Sequence, residues 1–119
     1  MNIQMIPLAG ASSLIANAVG AAVDVRECNG WCQIALCALV ESAVDMALTV
    51  RIQHSADGVT GWTDVVAFER VEGAEPSQQV LNFNADGFRG FVRVVDTLEG
   101  TNPAAVRTVT LFAKANIYA

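Results

Sequence analysis

The stretch VRIQHSADGVTGWTDVVAF, Val50 to Phe68, is the part of the chain whose reading sets the fold class. Val50 and Ile52 alternate with Arg51 and Gln53, and the alternation runs back through Leu48 and Met46. A period of two is the repeat of a pleated strand with one face in a core and the other in water. The segment SADGVTG then brings an Asp-Gly pair, and a second extended run restarts at Trp62. Two such runs around Asp-Gly predict a hairpin with a longer loop. Asp57 suits the turn because its carboxylate can bond its own backbone, and Gly58 because it takes positive φ without steric cost. Trp62 is expected to cover one end of the core. His54 keeps the inward parity at the end of its strand, where a satisfied, partly buried histidine is expected over a ligand or a base. A calcium site would need several oxygen ligands, and only Asp57 and Asp64 lie near one another.

Outward from this hairpin the same period recurs. In WCQIALCALVE, Trp31 to Glu41, one face carries Cys32, Ile34, Leu36, Ala38 and Val40, and the other a mixture of Gln33, Ala35, Cys37, Leu39 and Glu41. QQVLNFN and FRGFVRVVD read as a further strand pair around the ADG at 85–87, and Pro103 in GTNPAA bars a central strand there. In the last run, AVRTVTLFAKANIY, Val109, Leu111, Ala113, Ala115 and Ile117 share a side opposite Thr108, Thr110, Phe112, Lys114 and Asn116. No long segment has a helical period with caps, although the small residues from Ser12 to Ala22 could coil into a turn. About seven or eight strands spaced roughly 8 to 15 residues apart predict an all-β single domain, a sandwich, jelly roll or barrel.

Composition bounds the function. A chain of 119 residues makes one domain with one core. Charged residues are 16% of it, against about 25% in typical soluble domains, so a partly covered surface is expected. The net charge of -5 and the scattered cations (Arg26, Arg51, Arg70, Arg89, Arg93, Arg107, Lys114) exclude a phosphate-binding face, and hence nucleic acid. Arg89 and Arg93 read as a solvated strand face. The opening MNIQMIPLAGASSLIANAVGAA has no basic n-region and is broken by Pro7, Asn17 and glycines, which predicts neither an export signal nor a membrane span.

Residues 1–22 are therefore expected to be either an arm that reaches a neighbouring chain or the first strand of the sandwich, with 23–119 as the sandwich domain. As an arm they would offer Ile3, Met5, Ile6, Pro7, Leu14 and Ile15 as assembly contacts. Cys28, Cys32 and Cys37 are expected to be buried free thiols, since an odd count with these spacings fits neither a disulfide framework nor a zinc site. No nucleophile elbow, P-loop, dinucleotide fingerprint or metalloprotease motif is present. The expectation is a protein without catalysis, cofactor or metal.

The segment LTVRIQHSADGVTGWTDV, followed by FRGFVRVVD, resembles a recurrent pattern of small tailed-phage virion proteins. There a strand ending Q-x-S-x-D-G passes through a turn to W-x-D-V, and a later R-x-F-V-R-V strand leads to a closing strand. The family resembled is that of capsid decoration, or cement, proteins with a jelly-roll fold, over residues 31 to 117. Gly61, between Thr60 and Trp62, lengthens the turn by one residue relative to the usual D-G-x-T-W. The resemblance implies a structural protein made in the host cytoplasm. It would bind the major capsid protein on the outer surface of the bacteriophage head as a homotrimer, at sites completed by capsid expansion. A tail or head-completion position falls in the same class. The hairpin is also similar to that of discoidin-type carbohydrate-binding jelly rolls, which implies a glycan-binding module. The missing signal peptide, the lack of a terminal disulfide and the few aromatics stand against that alternative.

Overall fold

Alternating hydrophobicity produces strands along almost the whole chain. The computed structural model describes residues 3–41, 45–73, 76–84, 89–101 and 103–115, the side chains at 29, 114 and 115 excepted. Among the described residues the elements are β1 (Ile3–Leu14), β2 (Ala18–Val19), β3 (Val23–Asp24), β4 (Cys28–Val40), β5 (Ala47–Ser55), β6 (Thr63–Ala67), β7 (Val71–Glu72), β8 (Ser77–Asn84), β9 (Phe91–Glu99) and β10 (Ala105–Ala115).

The first sheet has the order β1-β10-β4-β8 and the second the order β2-β9-β5-β6, with β3 also on β9 and β7 also on β5. These strand pairings are all antiparallel. If β2 with β3, and β6 with β7, each count as one interrupted strand, the eight strands follow the sheet orders 1-8-3-6 and 2-7-4-5. That is a jelly roll, two sheets packed face to face with the chain crossing between them at nearly every connection. The exception is the β5 to β6 turn, where consecutive strands stay in one sheet. The hairpin at Asp57 is that turn.

The β8 and β9 segments, expected to pair with each other, do not. Ser77–Asn84 pairs with β4 in the first sheet, and Phe91–Glu99 pairs with β5 in the second. A local turn signal announces only that the chain reverses. Which sheet the next strand joins is set by the core it covers. The ADG at 85–87 lies outside the described residues.

The core is the inner faces of both sheets. Ile34, Leu36 and Val40 of β4, and Val109 and Leu111 of β10, are fully buried against Leu48, Val50 and Ile52 of β5 and Val92 and Val94 of β9. Residues 3–14, one of the two readings of the N-terminal segment, form the edge strand of the first sheet. Leu8 and Leu14 lie in the core, with Ile6 and Ala9 packed against it.

Among the described residues the core carries one buried ion pair. Asp96 of β9 and Arg107 of β10 are 1% and 5% exposed and join the two sheets through a bidentate pair, Nε to Oδ1 at 2.9 Å and Nη2 to Oδ2 at 2.7 Å. The Nη1 of Arg107 donates to the Gly10 carbonyl of β1 at 2.9 Å, so the guanidinium holds three strands together. Fork geometry satisfies both carboxylate oxygens, which a buried charge requires.

Candidate functional site

The residues singled out in the opening hairpin build a closed turn. Asp57 Oδ1 accepts hydrogen bonds from the Thr60 N–H at 2.8 Å, the Val59 N–H at 2.9 Å and the Ser55 hydroxyl at 2.9 Å, while Oδ2 accepts from the Thr60 hydroxyl at 2.8 Å. These donors, the backbone of Thr60 first, hold the carboxyl well below the ordinary aspartate range. Ser55 is fully buried; its Oγ accepts from the Gly58 N–H at 3.1 Å and meets the Thr60 carbonyl. Both carboxylate oxygens are thus engaged by the turn itself.

Trp62 does not cap the core. It is half-buried on the outer side of the second sheet, with the Arg93 guanidinium 4.3 Å from its ring centroid. Arg93 also donates to Gln53 Oε1 at 2.9 Å, Gln53 donates to Asp64 at 2.9 Å, and Arg51 pairs with Asp64 at 3.2 Å. Tryptophan lost the end-of-core position because its residue falls in the loop before β6, where the indole face attracts a cation. The outer face of the second sheet is therefore a charged, internally paired surface.

The outer face of the first sheet is its opposite. The registers align Met5, Phe112, Gln33 and Asn82 in one row across β1, β10, β4 and β8, and Pro7, Thr110, Ala35 and Val80 in the next. Thr108, Cys37 and Gln78 form a third row, Val106 and Leu39 a partial fourth, and Trp31 stands beside Asn84 at the other end. No described outward side chain within these four strands is charged; Glu41 follows at the margin, one residue beyond β4. Six exposed large hydrophobic residues gather here: Ile3, Met5, Trp31, Leu39, Val80 and Phe112. Trp31 is 70% exposed. It opens on a cleft of about 350 Å³ with Ile3, Phe112, Gln33 and Asn82, the last two joined by an amide hydrogen bond of 3.2 Å. A second shallow cleft of about 370 Å³ lies at the Cys37, Leu39 and Val106 end.

The proposed contact residues divide accordingly. Ile3, Met5 and Pro7 are exposed and Ile6 is half-buried; Ile15 is exposed beyond the end of β1, and Leu14 is a core residue. The cysteines, expected buried, also divide. Cys32 faces the core, where burial pushes its thiol up to about 11. Cys28 is half-buried and also raised, by burial first and by Asp24 and Glu27 after. Cys37 is exposed, because its odd position in β4 points it to the outer face. The face itself went unread in the sequence although its signal was present: charge is missing at every outward position from 31 to 39, 78 to 84 and 106 to 112.

No family model matches the chain, and no curated protein matches it by sequence. Its structure is similar to a chain of the infectious bursal disease virus structure (Gt strain), with a TM-score of 0.57 and 9% identity over 93% of this chain and 32% of that one. It is also similar to the Clostridium thermocellum endo-1,4-β-D-xylanase 10B structure, CBM22-1 and GH10 modules complexed with xylohexaose, with a TM-score of 0.51 and 8% identity over 97% of this chain and 27% of that one. The chain spans about a third of the length of the first and just over a quarter of the second. At these identities the likeness is one of fold: an all-β jelly-roll sandwich.

Proposed function

We propose that this chain is a structural virion protein of the capsid-decoration class, bound to the major capsid protein on the outer surface of the head. The observation that carries the reading is the uncharged outer face of the β1-β10-β4-β8 sheet, where six large hydrophobic side chains stand in water. Large hydrophobic side chains gathered in water on one face of a small domain mark a surface that is covered in use. Strand spacing and rise give a four-stranded face of this length roughly 600 Å², a large part of the about 800 Å² that one partner contributes to a standard interface. The sandwich behind it is rigid, clamped between sheets by Asp96 and Arg107. A stiff plate with one uncharged side suits a part that reinforces a shell. The fold shared with a chain of a virus structure supports the same reading.

Sedimentation with intact particles tests it. Wild-type protein is expected to travel with the particles, and Trp31→Lys or Met5→Lys to remain in the supernatant with an unchanged melting temperature. Undiminished binding by both variants would remove the face from the mechanism.

A second reading is favoured by one part of the face. Trp31 and Phe112 flank the Gln33–Asn82 amide pair in an open cleft, an arrangement of stacking surface and neutral donors that suits a sugar ring. A glycan-binding module would be retained on a glycan array, lose retention in Trp31→Ala, and show no affinity for particles.

A further inference from the structure

We infer that in the free protein the outer face of the β1-β10-β4-β8 sheet is covered by the same face of a second copy. The two sheets pack with their strands reversed, about a two-fold axis that crosses them at Ala35. This dimer shares its surface with the capsid reading but not its partner, so either can fail while the other stands.

The large side chains lie at the two ends of the face and smaller ones lie between. Ile3, Met5, Trp31 and Phe112 gather at one end, where Trp31 is 70% exposed. At the other end Leu39 and Val106 line the shallow hollow of about 370 Å³, together with Cys37 and Thr108. The row between them is Pro7, Thr110, Ala35 and Val80. A surface with a protrusion at one end and a hollow at the other is complementary to itself when turned end for end, which is the condition of an isologous interface. Trp31 and Leu39 stand at equal sequence distance on either side of Ala35 in β4. The axis therefore seats each Trp31 on the hollow of the other copy. By the same turn Phe112 meets Thr108 and Asn82 meets Gln78, and amides can both donate and accept across such a pair. Ala35 meets its own copy. Its short side chain lets the larger ends reach each other across the about 10 Å that separates packed sheets.

Charge selects this seating over the one with strands parallel. Glu41 follows β4 at the hollow end, and the backbone register places Lys114 beside Ile3 at the Trp31 end. Turned end for end, each Glu41 comes to the Lys114 end of the other copy. The parallel seating sets Glu41 against Glu41 and Trp31 against Trp31. Opposite charges at a rim fix register, and like charges there exclude it. The area agrees. Roughly 600 Å² from each copy makes about 1,200 Å² in total, the lower end of stable specific interfaces. The net charge of -5 on each copy opposes the pairing, so the dimer is set by concentration and yields the face to a better partner.

Sedimentation equilibrium of the full-length protein, without particles, is expected to show monomer and dimer in exchange. Trp31→Glu and Leu39→Lys, both at exposed positions, should each keep the wild-type melting temperature. Each should raise the dissociation constant about tenfold or more, because the two-fold repeats the loss. An equimolar mixture of the two variants should dimerise more tightly than either alone: it sets the two introduced charges opposite each other at one end and restores the native contact at the other. A wild-type monomer at all concentrations, an assembly that neither substitution weakens, or a mixture no tighter than the single variants would each overturn the inference. Wild-type protein that dimerises in this way yet stays off particles upholds it and removes only the capsid reading.

Discussion

At Gly58 a φ of +75° coincides with the ring of Phe91, 2.9 Å from where a Cβ would stand. The first demand was legible in the sequence from Asp-Gly. The second was not, because Phe91 comes from β9, a strand that lies beside β5 only in the folded sheet. Together they make Gly58→Val cost on the order of 2 kcal/mol through left-handed strain and a displaced ring. The measurement is a urea midpoint at unchanged slope; a midpoint equal to wild type would dispose of both arguments. The neighbouring Asp57 sets a pH dependence. Its carboxyl is held low by the Thr60 and Val59 N–H groups, and that of Asp24 is lowered to about 2 by the Arg26 side chain, from an ordinary value of 3.8. The folded state thus binds these protons less readily than the unfolded state. Their stabilisation is complete above about pH 4 and is lost as the pH falls toward about 2. Calorimetry should show the melting temperature dropping across that window, with a shallower drop in Asp57→Asn. Parallel curves for the two proteins would exclude Asp57 as a contributor.

At the scale of the element, alternation told which face of β4 and β5 lies inward and divided β10 into two sides, and the structure keeps those faces, with Val109, Leu111 and Ala113 of β10 in the core. It could not tell partners. Ser77–Asn84 alternates as well against β4 as it would against β9, and only the crossing of the chain between sheets decides. The Asp96–Arg107 pair was half legible. Arg107 shares the inward parity of Val109 and Leu111, and Asp96 that of Val92 and Val94, so each is a charge at a core position. That the two charges meet is a fact of sheet packing. Asp96→Ala, which leaves Arg107 buried without its countercharge, should cost about 3 kcal/mol or more, while Asp96→Leu with Arg107→Met should recover most of the loss. Chemical denaturation of the single and double variants decides, and additive losses would argue that the two residues act separately. β1 is bound into the same cluster through Gly10, Leu8 and Leu14. Deleting residues 2–14 should therefore abolish the cooperative melt. A truncated chain that still melted cooperatively would show the rest of the sandwich to be self-sufficient.

For the whole molecule, the distribution of charge matters more than its sum. The described ion pairs lie on the second sheet, in loops or in the core, and the outer face of the first sheet has none. A contact made through such a face contains nothing for dissolved ions to screen. Added salt that is excluded from protein surface strengthens apolar burial, and urea weakens it. Particles washed in concentrated sulfate should accordingly retain the protein, and particles washed in urea below its unfolding midpoint should shed it; release by moderate sodium chloride would point to an ionic attachment instead. The uncharged plate would then serve as a fastening indifferent to the ionic changes a particle meets between one medium and the next.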